Sequence, residues 1–121
     1  MKLLAVYTTV ASLDAARRMA RTLVERKLAA CAQIGEIESF YAWQGAVANE
    51  REFRILFKTT EARHAALEAA IRELHDYELP AIHALALEHV HPPYGRWIEE
   101  GCSPWRNRTP PSRRSVRTRR C

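Results

Sequence analysis

Four glycines serve the whole of this sequence, and no G-x-S-x-G, H-E-x-x-H or glycine-rich phosphate loop occurs in it. The serine-hydrolase, zinc-protease and nucleotide-cradling classes therefore lack their defining residues, and a non-enzyme is expected. Cysteine is equally sparse. Cys31, Cys102 and Cys121 stand far apart with no C-x-x-C pair, so the spacing encodes neither a disulfide framework nor a cysteine-rich zinc module, and a reducing cytoplasm is the expected setting. Long apolar runs are missing too. The run after Lys2 is interrupted by Tyr7, Thr8 and Thr9, which is too early for a secretory signal, and no later window reaches the ~18 apolar residues of a membrane helix. No internal repeat or sustained heptad is found.

Acidic residues are absent from one end only. The formal charge of +5 invites an anionic partner, but residues 1–103 carry 12 Lys and Arg against 14 Asp and Glu, whereas residues 104–121 carry seven Arg and no acid. The basic character belongs to the tail, so an argument for nucleic acid or membrane concerns those eighteen residues alone. Their Pro, Ser, Thr and Arg composition predicts disorder. We read residues 1–103 as one folded domain, for which the 47% hydrophobic content of the 121 residues is ordinary.

What the sequence does have is a long stretch of alternation over residues 30–60. Phe53, Ile55 and Phe57 alternate with Glu52, Arg54 and Lys58, the two-residue period of a half-buried strand. Ahead of them, Ile37, Ser39, Tyr41 and Trp43 share one parity while Ile34, Phe40 and Ala42 share the other. Ala48, Asn49 and Glu50 are expected to make the turn, since Asn tolerates unusual backbone angles. The resulting hairpin is long for a globular strand pair and projects past its own helices. Its edges and its exposed Tyr41 and Trp43 need cover, which predicts a homo-oligomer.

The flanking segments complete a pattern. Residues 3–10 form an apolar, β-branched first strand. Ser12 caps a helix, with Leu13, Ala16, Met19, Ala20 and Leu23 at helical spacing, that runs to about Leu28. Thr60 caps a second helix with Leu67, Ala70, Ile71 and Leu74 as its stripe, stopped near Tyr77 by Pro80. Residues 82–88 read as a fourth strand, and Pro92 and Pro93 open a short C-terminal helix with Tyr94, Trp97 and Ile98. The order βαββαβ predicts an α+β, ferredoxin-like sandwich: a four-stranded antiparallel sheet with two helices on one face and the other face bare.

At this point the motifs resemble a known family. The pieces are Glu25-Arg26-Lys27-Leu28-Ala29-Ala30-Cys31, Ser39-Phe40-Tyr41-Ala42-Trp43-Gln44-Gly45, Lys58-Thr59-Thr60, His75-Asp76-Tyr77-Glu78-Leu79-Pro80-Ala81-Ile82 and Tyr94-Gly95-Arg96-Trp97-Ile98. Several spaced motifs in order resemble the CutA family of divalent-cation tolerance proteins, over residues 3–100. The resemblance implies a homotrimer with long strands paired across subunits, and a role in tolerance of divalent metal ions such as copper and response to them, by binding metal. The alternative is a trimeric small-ligand sensor or scaffold without physiological metal binding. There are two departures: Ala81 stands where the family usually has Glu, and the copper ligands described for some members fall here on Tyr7, Leu74 and His75.

Candidate site residues follow from side-chain chemistry. His75 can accept a metal or hydrogen-bond a loop carbonyl. Cys31 is either a soft thiolate ligand, suited to copper, or a small buried apolar residue at a strand start. Tyr41, Trp43 and Tyr77 are candidates for a ligand cleft or for the trimer interface. His83, His89 and His91 share a parity, but the spacing supplies no complete ligand set. No cofactor is expected to be needed for folding. The arginine tail is expected to bind polyanions weakly, without a dedicated nucleic-acid partner or a membrane. On the sequence alone, deleting residues 104–121 is expected to leave trimer assembly and any metal binding unchanged and to remove most low-salt affinity for DNA or RNA; tight binding that persists at physiological salt, or a truncated chain that no longer assembles, would overturn this reading.

Overall fold

The computed structural model of the protein describes residues 2–103 and Cys121. The elements run β1 (Leu3–Val10), α1 (Leu13–Glu25), β2 (Cys31–Trp43), β3 (Ala46–Thr60), α2 (Glu61–Leu74), β4 (Ile82–Ala86) and α3 (Pro92–Gly101). The four strands make one antiparallel sheet in the order β2-β3-β1-β4. The expected ferredoxin-like order is the observed one.

β3 is shared by two neighbours. Its inner half pairs with β1, from Leu3 opposite Thr60 to Val10 opposite Phe53. Along almost its whole length it also pairs with β2, from Cys31 opposite Lys58 to Trp43 opposite Ala46. Residues 46–52 of β3 therefore extend beyond the end of β1, and one edge of that segment has no partner strand within the described residues.

Alternation decides which face is covered. Phe53, Ile55 and Phe57 of β3 and Leu4, Val6 and Val10 of β1 lie on one face with Ala84 and Ile82 of β4, against Ala16, Met19, Ala20 and Leu23 of α1 and Leu67, Ala70 and Ile71 of α2. Ile55, Phe57, Leu23, Leu67 and Ile71 are fully excluded from water. The opposite face carries Tyr7, Arg54 and His83, with Tyr7 stacked on His83 at 5.1 Å and the Arg54 guanidinium 5.7 Å from the Tyr7 ring centre.

Four local features differ from the sequence expectation. The hairpin turn falls at Gln44 and Gly45, not at Ala48, Asn49 and Glu50. Gln44 (φ 50°) and Gly45 (φ 82°) both take left-handed backbone, which in a two-residue loop matches the twist of the flanking strands. Asn49 and Glu50 instead bond across the hairpin: the Asn49 amide donates to the Ser39 carbonyl at 3.2 Å, and Glu50 accepts from Tyr41. Helix α1 ends at Glu25, before Leu28, because Lys27 turns left-handed (φ 61°) and the Lys27 and Leu28 N–H groups bond back to Val24 and Leu23. Thr60 occupies the N-cap of α2 but makes no side-chain cap bond there. β4 stops at Ala86, so His89 lies in the loop before α3 and His91 at its N-cap.

Helix α3 is held at one end of the sheet. Lys58 Nζ donates to the Tyr94 hydroxyl (3.1 Å), and Arg63 Nε donates to the Cys102 carbonyl (2.9 Å). Gly101 sits where an added Cβ would come within 2.6 Å of Ala30 Cβ, so only glycine permits this approach to the start of β2.

The expected disorder of the tail falls on residues 104–120, which lie outside the described residues. Cys121 is described, and it corrects the reading that the cysteines encode no disulfide: it is bonded to Cys31 across a separation of 90 residues. Spacing gave no sign of this because the bond depends on where the chain end docks, beside α1 and α3.

Truncating Phe57 to Ala should lower stability by about 3–5 kcal/mol in chemical denaturation, the usual cost of a cavity at a fully buried aromatic. An unchanged midpoint would show that the core is not centred there.

Candidate functional site

The end of α2 carries the most organised polar cluster. Helix α2 stops at Leu74, and His75 turns to extended backbone (φ −84°, ψ 141°). Its Nδ1 lies 3.1 Å from the Tyr77 N–H, and its Nε2 lies 2.8 Å from the Thr9 carbonyl. A backbone N–H can only donate and a carbonyl can only accept, so Nδ1 is the acceptor and Nε2 carries the proton. Both ring nitrogens are thus engaged with the backbone, stitching the α2–β4 loop to the end of β1. His75 does bond a carbonyl, but it is that of Thr9 in β1 and not the loop carbonyl expected from the sequence.

This stitch aims Tyr77. Its ring packs 4.9 Å from His75, and its hydroxyl donates to Glu52 Oε2 at 2.7 Å. Glu52 is only 8% exposed, on the segment of β3 that outruns β1, so Tyr77 satisfies a carboxylate that would otherwise be buried unpaired. Two residues along β3, Glu50 accepts from Tyr41. Burial pushes the Tyr77 phenol well above the usual tyrosine range, helped by the Glu52 bond and charge. The Tyr41 phenol is raised by its bond to Glu50. An open cavity of about 210 Å³ adjoins the cluster, lined by Val10, Ser12, Arg18, His75, Asp76 and Tyr77 among others.

The structure brings together some candidates and separates others. Tyr41 and Tyr77 are neighbours through Glu50 and Glu52. Trp43 is apart, pairing with Ala46 at the hairpin tip, six residues or roughly 20 Å along β3 from Glu52 at ~3.3 Å per residue. His75 and Cys31 do not form one site. His75 binds Thr9, whereas Cys31 pairs with Lys58, which pairs with Ala5; four residues of β1, roughly 13 Å, separate the two rows. Cys31 is buried, and its sulfur is held by Cys121 in the disulfide, so in this state it is not a thiolate ligand. Among the described residues no group of three or more His, Cys, Asp or Glu side chains could hold a metal ion. Glu52 was missed as a site residue because a Glu on a polar strand face reads as solvated; its place opposite Ile37, beyond the end of β1, is a matter of register.

An antiparallel βαββαβ sheet, two helices on one face and a hairpin outrunning its inner neighbour define a ferredoxin-like α+β protein. Residues 4–101 match the CutA1 divalent ion tolerance protein family, and the chain belongs to that family. The divalent-cation tolerance protein CutA of Thermotoga maritima is 39% identical over 95 residues, spanning 78% of this chain and 94% of that protein. Among solved structures, the periplasmic divalent cation tolerance protein CutA of Archaeoglobus fulgidus aligns with a TM-score of 0.82 and 34% identity, covering 84% of this chain and 99% of that one. CutA1 of Oryza sativa aligns with a TM-score of 0.82 and 32% identity, covering 85% and 95%.

Tyr77→Phe should cost about 1–3 kcal/mol by leaving the Glu52 carboxylate buried without a donor. Because the folded-state pKa of Tyr77 is raised, its contribution is whole below the unfolded tyrosine value near 10 and falls as pH climbs through the folded value. Urea denaturation at rising alkaline pH should therefore show a loss that is smaller in Tyr77→Phe; parallel losses would remove Tyr77 from the account.

Proposed function

We propose that the protein acts in tolerance of divalent metal ions as a homotrimer, a binding protein and not a catalyst. The observation that carries this is the overhang of β3 beyond β1 in a chain whose residues 4–101 match the divalent ion tolerance family. Residues 46–52 offer unpaired strand edge, and around it Phe40 (67%), Val47 (76%), Trp43 (42%) and Tyr41 (37%) are exposed. Unpaired edge beside exposed aromatics favours pairing with another copy, and a closed ring of three leaves no edge over. Trp43 is the interface anchor in this reading, and Tyr41 and Tyr77 line the cleft between copies.

Of the two proposed metal contacts, Cys31 is preferred to His75, whose ring would have to give up the Tyr77 N–H or the Thr9 carbonyl to bind a cation. A thiolate at Cys31 suits a soft ion such as copper and requires the disulfide to be open. The cytoplasmic setting read from the cysteine spacing would keep it open; an oxidising compartment would close it. No helix among the described residues is long and apolar enough to cross a membrane.

A second reading, a trimeric small-ligand sensor, draws on the cavity of about 210 Å³ beside His75 and Tyr77. Light scattering coupled to size exclusion should report three chains, with an unfolding midpoint that rises with protein concentration. Trp43→Ala should weaken assembly. A monodisperse monomer at micromolar concentration would overturn the architecture. Metal tolerance restored in a sensitive host by a variant that binds no metal would favour the second reading.

A further inference from the structure

The disulfide joins Cys31, inside the family match, to Cys121, beyond the end of that match at residue 101. Its setting is an open groove of about 510 Å³ between α1 and α3, lined by Ala20, Arg21, Val24, Glu25 and Trp97 together with both cysteines. Cys31 is buried at the root of β2, anchored by its ladder to Lys58, while Cys121 is exposed and terminates the chain. One sulfur is thus fixed by the sheet, and the other belongs to an exposed residue 90 positions away in sequence.

We infer that Cys31 and Cys121 form a thiol–disulfide couple whose reduced form is a two-thiolate site for a soft monovalent cation of the copper(I) type. This deepens the reading of Cys31 as a metal contact and rests on it, adding the second ligand and a redox gate. Disulfides exposed to solvent are the ones that thiols attack, and Cys121 is an exposed residue lining an open groove. Two reductant thiols open the bond: each protein sulfur gains an electron and a proton, and the reductant pair leaves as its own disulfide. The two protein thiols then release two protons as they bind one cation. Soft thiolates select such an ion over hard divalent cations, and two sulfurs suffice where the described residues supply no third ligand. Arg21 favours the anionic sulfurs and Glu25 opposes them across the same groove. Opening the bond frees the sulfurs to separate from bonding distance, as admitting a metal requires.

Cys102 is the built-in contrast. It is buried, shares a 3.6 Å contact with Thr59 Oγ1, and burial raises its thiol above the ordinary value. It belongs to the packing of α3 and offers no accessible donor.

The test uses the full chain. Peptide mapping without reduction should recover a Cys31–Cys121 crosslink and leave Cys102 as the one cysteine alkylated once the chain is denatured. After treatment with a dithiol and its removal under anaerobic conditions, titration with copper(I) against a chromophoric chelator should give one ion per chain. The oxidised protein and reduced Cys121→Ser should each bind at least about tenfold more weakly, since a lone thiolate is a poor site. Cys121 is exposed and outside the hydrophobic core, so Cys121→Ser leaves the core packing in place. Binding retained in Cys121→Ser but lost in Cys31→Ser would overturn the couple while leaving Cys31 as a metal contact. Binding unchanged in both variants would overturn both statements, as would oxidised protein that binds as well as reduced.

Discussion

Everything in this protein depends on β3 being hydrogen-bonded on both sides over part of its length and on one side over the rest. The doubly paired stretch, from Phe53 to Lys58, is where the core is built, because only there do Ile55 and Phe57 meet helices on one face and strands on both flanks. The singly paired half is held by β2 alone and points away from that core. One strand of 15 residues thus serves as the centre of a monomer fold and as the root of an arm that the monomer cannot cover.

The polar cluster sits at the boundary between these halves. Glu52 is the first residue of β3 beyond the end of β1, and its carboxylate accepts from the Tyr77 hydroxyl. The His75 ring makes that possible by tying the loop to Thr9. The cluster therefore joins helix, loop, β1 and the overhanging arm in one chain of hydrogen bonds. Its members act on one another, so Tyr77 and Glu52 should be read as a pair rather than as separate side chains.

Much of this was legible in the sequence. The alternation of Phe53, Ile55 and Phe57 with charged residues located β3 and its buried face, since a period of two leaves no other assignment. The helical stripe from Ala16 to Leu23 located α1 because burial follows the same spacing in the structure. The turn was misjudged: polarity at Asn49 and Glu50 outweighed the backbone requirement that Gln44 and Gly45 satisfy, and those polar side chains had partners across the hairpin that a linear reading cannot show. Tyr41, Trp43 and Tyr77 were legible as one group of interest, from which the structure sets Trp43 apart, whereas Glu52, which receives the Tyr77 hydroxyl, was not legible.

The sequence by itself determined the element order, the ferredoxin-like topology, the family and the separation of a nearly balanced body from an arginine-rich end. These rest on local periodicity and on the order of motifs, both of which are properties of the chain read in line. Tertiary structure alone decided that His75 spends both nitrogens on backbone, that Glu52 is buried against Tyr77, and that Cys31 meets Cys121. Each of those contacts joins residues whose proximity depends on strand register or on where a loop or a chain end docks, and neither is written in the spacing of the residues that make the contact.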